Sequence, residues 1–395
     1  MVWKECCVVE ERERFVLRAV SRGVNFKRLC EEFGISRKTG YKWVKRFESE
    51  GVLGLRDRSR RPRGHQWTTS VEMTLEVMRI RLRTPLWGPY SIRGELLGRY
   101  PAGEVPSERT IARILERSGL VRKRRRRRSK QNRLRHELVA EQPNDVWTID
   151  FKGWWRTLDG ARCEPLTIRD ACSQFLLCLD ALPSTRGDLV AASMRSVFEQ
   201  YGLPKVIRSD NGSPFASTRA LCGLTRLSVW WLSMGIHLDR GRPGCPQDNA
   251  AHERMHQDIA LALESSPARS LAEQQEAFDG WRHEHNARRR RKSLDGRTAA
   301  AVYQVSGRVY TETPPEFAYP EHYEIRRVRR TGEIRYRGKS RYVSQALSKR
   351  NVGIEPVSAT MIRVWYQDVC LGLTDREFQS PLRPTALEAI ETDKV

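Results

Sequence analysis

The sequence lacks an apolar run long enough to cross a bilayer. It also lacks an apolar signal-peptide core, because Met1-Val2-Trp3-Lys4-Glu5 meets charge at once. Its nine cysteines form no zinc-ligand spacing; Cys6 and Cys7 are adjacent and the rest are scattered. An odd count of this kind reads as reduced thiols, so no structural zinc and a cytoplasmic location, the bacterial cytosol and nucleoid, are expected. Acidic residues are scarce: 48 Asp and Glu against 71 Lys and Arg leave a formal charge of +23. Such a surplus calls for a polyanionic partner, either nucleic acid or an anionic membrane. The missing span sets the membrane aside. At 395 residues with an ordinary hydrophobic fraction, the chain is long enough for several packed domains.

The patterns divide the chain. Residues 8–21 read as a helix with Val9, Phe15, Val16, Ala19 and Val20 on one side. Residues 26–33 form a second short helix stopped by Gly34, and Ser36 caps a third that runs to about Phe47. This is a helix-turn-helix pattern over 1–53, with the third helix as reader. Arg37, Lys38, Tyr41, Lys42, Lys45 and Arg46 make that helix basic, while Trp43, Val44 and Phe47 face its core. A basic linker (54–66) leads to a second trihelical module (67–120), with helices expected at 70–83, 91–99 and from Ser107 to about Ser118. Two modules on a tether cover a longer DNA site than one. The linker 121–140 holds seven consecutive cations at 122–128, Arg124 and Arg126 among them. Like charges so dense stay solvated and neutralise phosphates without reading sequence.

From Asn144 the texture is mixed α/β. Strands are expected at 146–151, 166–171 and 175–182, then a helix at 186–201, a strand at 205–208, a helix at 221–234, a strand at 236–238, and helices at 248–264 and 271–287. This core is placed at 141–305. Short strands at 323–329, 333–336, 339–343, 351–356 and 361–367 suggest a small β-barrel or open sheet over 306–380, before a tail at 381–395. The expected fold is multidomain: all-α DNA-binding modules, a mixed α/β core and a small β-barrel.

Three carboxylates stand out by position. Asp150 lies inside an apolar strand, where an unpartnered acid is costly. Asp210 ends a short strand, where ligands gather in open α/β sheets, although Asp-Asn-Gly is also an ordinary turn. Glu253 lies on a helix whose buried stripe is Met255, Ile259 and Ala262, and it points elsewhere, in line with Asn249, His256 and Gln257. Carboxylate oxygens suit a hard divalent cation, and two such ions can serve an in-line phosphodiester displacement.

The strings Asp145-Val146-Trp147-Thr148-Ile149-Asp150, Ser209-Asp210-Asn211-Gly212-Ser213-Pro214-Phe215 and Asp248-Asn249-Ala250-Ala251-His252-Glu253-Arg254-Met255-His256 resemble the three catalytic blocks of integrase-core insertion-element transposases. These are relatives of retroviral integrases with an RNase H-like fold. Trp281-Arg282-His283-Glu284-His285-Asn286 and Leu294-Asp295-Gly296-Arg297-Thr298 resemble the segment that closes that core. The resemblance implies a DDE triad of Asp150, Asp210 and Glu253 holding two Mg²⁺ or Mn²⁺ ions. It implies hydrolysis that exposes a 3′-hydroxyl at the element end, followed by attack of that hydroxyl on target DNA. It further implies double-stranded DNA as partner, at least a homodimer on DNA, and supporting roles for Asn211, Asn249 and His256. The chain departs from the family twice. The 42 residues between Asp210 and Glu253 exceed the usual spacing, and the surplus is assigned to the Trp-rich helix, expected over the site or at a partner surface. Ala260 stands where relatives often carry a DNA-directed Lys or Arg, and Arg254 or the run at 288–292 are the expected substitutes. Two other functions compete: an inactive DNA-binding repressor derived from a transposase, and an RNase H-like nuclease acting on hybrids.

Overall fold

The computed structural model describes residues 7–58, 69–121, 139–217, 220–241, 250–380 and 382. The chain forms two compact units, Met1–Thr68 and Thr69–Val395.

In the first unit, α1 (Val8–Val20), α2 (Phe26–Glu32) and α3 (Arg37–Glu50) close on Phe15, Val16, Leu29, Cys30, Trp43 and Leu55. Asn25 and Ser36 cap α2 and α3 through their side-chain oxygens, satisfying backbone donors that have no partner within the helix. Gly40 lets α3 approach its neighbours, since a Cβ there would stand 2.8 Å from Cys30 Sγ. α3 runs three residues past its expected end at Phe47; Gly51, with a φ of +59°, caps it instead.

The second unit begins with α4 (Val71–Arg83), α5 (Pro89–Leu97) and α6 (Glu108–Arg117), packed on Val77, Ile80, Ile92, Leu96 and Ile111. α5 starts two residues earlier than its apolar pattern suggested. Pro89 sits at its first position, where a missing N–H costs nothing.

The core follows: β1 (Val146–Phe151), β2 (Trp155–Arg156), β3 (Arg162–Asp170), β4 (Leu176–Leu182), α7 (Gly187–Tyr201), β5 (Val206–Ser209), α8 (Arg226–Ser233), β6 (His237–Arg240), α9 (Ala250–Ile259), α10 (Leu271–Ala287) and α11 (Ala299–Val302). The sheet runs β3-β1-β5-β6, with β4 and short β2 also pairing to β3. β4, β3 and β1 are antiparallel; β1, β5 and β6 are parallel. Each face is buried. Trp147, Ile149, Leu166 and Ile207 pack with α7 and α8, whereas Cys163, Leu176 and Leu179 pack with Met255 and Ile259 of α9 and Phe278 of α10. The integrase-like α/β core expected from the sequence is therefore present.

The expected β-barrel is not. β7 (Glu324–Arg327), β10 (Asn351–Pro356), β11 (Met361–Tyr366) and β12 (Val369–Asp375) form an open antiparallel sheet in the order β12-β11-β10-β7. β8 (Glu333–Tyr336) and β9 (Lys339–Tyr342) form a separate hairpin. The sheet need not close on itself because a helix fills its concave side: Leu224, Val229 and Leu232 share one cluster with Ile334, Val352, Ile354, Ile362 and Val364. Helix α8 is the Trp-rich insertion. Its other side, with Leu227 and Trp231, belongs to the core cluster, so the insertion is buried between two apolar surfaces. It is shorter than expected, because Thr225 and Ser228 build a capping box that starts it at Arg226.

Trp231 is fully buried in this position. Trp231→Ala is expected to lower unfolding stability by about 3–5 kcal/mol, read from denaturant titration. A change below about 1 kcal/mol would contradict the packing described.

Candidate active site

The two aspartates converge through strand register. β1 and β5 are parallel, with Thr148 opposite Arg208. Two residues further along each chain stand Asp150 and Asp210, at the carboxyl ends of neighbouring strands where open α/β sheets collect ligands. Beyond β5 the chain turns sharply. The Gly212 N–H donates to Asp210 Oδ1 at 3.1 Å, and a Cβ on Gly212 would stand 2.9 Å from Asp210 Oδ2. Glycine thus lets the turn fold under the Asp210 carboxylate. Asn211 Nδ2 donates to the Gly241 carbonyl at 2.5 Å, tying this turn to the end of β6.

Helix α9 is fixed to the sheet by two histidines one turn apart. His252 is fully buried; its Nδ1 lies 2.8 Å from Thr148 Oγ1 and its Nε2 lies 2.6 Å from Thr167 Oγ1. His256 Nε2 reaches the same Thr167 hydroxyl at 2.8 Å, and that hydroxyl donates to the Asp150 carbonyl at 2.9 Å. With both rings neutral, both Nε2–H groups donate to Thr167, and the Thr148 hydroxyl has its one proton to share between His252 Nδ1 and the Arg169 carbonyl, 3.3 Å away. Burial holds both imidazoles neutral. His252 lies well below the usual histidine range through burial, then His256 and Arg169, and His256 is lowered to about 4 by burial and then Lys152. Met255 and Ile259 complete the docked face of α9. Leu263 replaces the expected Ala262 as its next buried residue, because Ala260–Glu264 is wound as a π-helix.

With that face committed, Glu253 is exposed beside the strand ends. Its charge is felt there. The Asp150 carboxyl is raised from 3.8 to about 7, by burial first, then by Asp210, and then by Glu253, against a lowering hydrogen bond from the Phe151 N–H. Asp150 and His256 also approach, with Oδ2 and Nδ1 4.0 Å apart. Asp170 offers a contrast. It is fully buried, whereas Asp150 is only half-buried, and its oxygens accept from the Asn144 N–H, the Ser173 N–H and the Ser173 hydroxyl, as a purely structural acid should. Asp150, Asp210 and Glu253 therefore form a like-charged group on the two strand ends and one helix. Among the described residues no cluster of three or more His, Cys, Asp or Glu side chains is closed tightly enough to hold a metal ion. The donor set itself is all oxygen, the kind a hard divalent cation takes.

Other expected residues are scattered. In the first unit, Arg37, Lys38, Tyr41, Lys42 and Lys45 are exposed along α3. Lys42 and Arg46 also lean on Trp43, at 4.2 and 5.1 Å from its ring centre. Arg254 follows Glu253 and lies 3.8 Å from Asp258. Asn249, Arg124 and Arg126 lie outside the described residues. The sequence reading passed over His252, Thr148 and Thr167. The spacing of His252 and His256 on a helix was the available signal, since positions i and i+4 share a face.

Four family models match the chain: a helix-turn-helix domain at residues 11–63, a homeodomain-like domain at 39–115, and integrase core domains at 140–246 and 234–298. Among curated proteins, the chain is similar to the insertion element IS407 uncharacterized 31.7 kDa protein of Burkholderia multivorans. The two are 26% identical over 217 residues, covering 54% of this chain and 75% of the other. Among solved structures, the magnesium complex of the HTLV-2 integrase catalytic core (trimeric form) is 14% identical at a TM-score of 0.31, covering 42% of this chain and all of that one. The simian T-cell lymphotropic virus intasome with PP2A regulatory subunit B56 gamma is 13% identical at 0.36, covering 76% and 98%.

The carboxyl of Asp150 sets a pH signature. A carboxyl raised in the folded state favours folding at low pH and loses that contribution as pH rises through its folded value. In metal-free buffer, the stability of Asp150→Asn relative to wild type is therefore expected to rise steadily from about pH 4 to about pH 7 and to level off above that. A melting-temperature difference independent of pH would remove the proposed repulsion.

Proposed function

Because this chain belongs to the insertion-element transposases with an integrase core, we propose that it cuts DNA at the ends of its element and joins them to target DNA. Asp150, Asp210 and Glu253 are the catalytic residues in this reading. The observation that carries it is the mutual charge of these three carboxylates, assembled from two strand ends and one helix. They would hold two Mg²⁺ or Mn²⁺ ions, which when bound supply electrostatic stabilisation of charge at the reacting phosphate.

The residues of the chain do the rest. The His252–Thr167–His256 set holds α9 so that Glu253 stays beside Asp150, and Gly212 and Asn211 hold the turn that carries Asp210. Neutral histidines leave the negative charge of the site undiminished, as a cation site requires. At the element end, a water oxygen bonds to phosphorus and the 3′ oxygen leaves as a hydroxyl. That hydroxyl then bonds to a phosphorus of the target strand and displaces its 3′ oxygen. Recognition falls to the first unit, through Arg37, Lys38, Lys42, Lys45 and Arg46 of α3, with phosphate contacts from Arg124, Arg126 and Arg254. Two element ends are joined together, so at least two copies of the chain act on one DNA.

The test uses labelled element-end DNA with Mg²⁺. Asp150→Asn and Glu253→Gln are each expected to lose strand transfer by more than about 100-fold while DNA binding is retained. A yield from Asp150→Asn equal to wild type sinks the assignment.

A further inference from the structure

After α10 the chain doubles back, and its residues line a cleft shared with α5, β3 and α9. The cleft is strongly cationic. Arg169, Arg254, Arg289, Arg291 and Lys292 border it, against the single carboxylate of Asp258. Asp258 is buried and already engaged, 2.8 Å from Arg289 and 3.8 Å from Arg254.

Two of these cations are withdrawn from water and, among the described residues, sit in no salt bridge, although Asp170 and Asp258 lie near them. Arg169 is 7% exposed. Burial lowers its guanidinium to about 10, opposed by Asp170, whose oxygens already serve Asn144 and Ser173. Arg291 is lowered to about 9 by burial and then by Arg289 and Arg169, against Asp258, and among the described residues its guanidinium donates to the Arg289 and His285 carbonyls. His285, also 7% exposed, borders the cleft, and its Nδ1 has no hydrogen-bond partner among the described residues. Buried charge without a counter-ion is costly, so its retention here points to an anion that completes the site. Guanidinium groups match an oxyanion with several acceptor oxygens better than a single carboxylate.

The position identifies the carrier. Arg254 is the residue after Glu253 on α9, and Tyr90 and Ser91 bring the second trihelical module to the same cleft, where Ser91 Oγ donates to the Arg290 carbonyl at 2.8 Å. We propose that this cleft seats a backbone phosphate of the DNA strand held at the neighbouring carboxylates. The phosphate chemistry rests on the cleft alone; its assignment to DNA rests on the transposase reading.

Thermal unfolding of the full chain in metal-free buffer tests the site, comparing inorganic phosphate with chloride at matched ionic strength. Phosphate is expected to raise the melting temperature of wild type by binding the folded state. Arg169→Gln and Arg254→Gln are each expected to lose most of that increment. Arg254, with a side chain 59% exposed, serves if Arg169→Gln fails to fold. In a second arm, binding of a labelled duplex is followed against salt, and each variant is expected to show a slope shallower by about 1. An unchanged phosphate increment in the variants overturns the site. A lost increment with an unchanged salt slope overturns DNA as its occupant and leaves a site for free phosphate. Neither arm involves catalysis, so failure here is separate from failure of the strand-transfer assignment.

Discussion

The docking of α9 on the central sheet governs the rest of the site. A helix that carries an acid toward two other acids works against its own electrostatics, so something must hold it there. His252 does so from a fully buried position, bridging Thr148 on β1 and Thr167 on β3, and His256 adds a second contact to the same threonine. Burial keeps each imidazole neutral. Polar contacts buried this deeply are directional, and they fix the rotation of the helix more tightly than apolar packing alone. Glu253 is thereby set beside Asp150 with no side-chain hydrogen bond to the sheet among the described residues.

The second constraint is the shared helix α8. An open four-stranded sheet with one apolar face needs a cover. Here the cover is a helix inserted between β5 and β6, apolar on both sides, with Trp231 in the core and Val229 and Leu232 under the C-terminal strands. The insertion that lengthens the interval before Glu253 is thus a structural joint. It couples the C-terminal sheet to the same central sheet that carries Asp150 and Asp210.

Charge gives the molecule its asymmetry. Carboxylates collect at the strand ends, and cations collect around Arg169 and the chain after α10. Both groupings store unfavourable charge, and in the proposed function DNA with its metal ions would relieve both. The buried acid Asp170, by contrast, is fully met by neighbouring donors and does no more than pin a turn.

Much of this was legible in the chain itself. Strand β1 has the expected limits, Val146–Phe151, because alternation over a short run leaves little freedom. The helix-turn-helix units follow from Ser36 and Ser107 as caps and Gly34 and Gly119 as stops, all local chemistry. The order of the three acidic blocks marked Asp150, Asp210 and Glu253. What local pattern did not contain is how distant surfaces are shared. The open C-terminal sheet looked like a barrel because strand patterns do not say what covers them, and α8 looked like a lid because apolar residues on all sides do not name their partners. The thiol count, the charge surplus and the order of the three acidic blocks were determined by the sequence alone. The burial that raises Asp150, the histidine pair that aims α9 and the cationic cleft beside it were decided only by tertiary structure, since burial and charge proximity arise between residues a hundred positions apart.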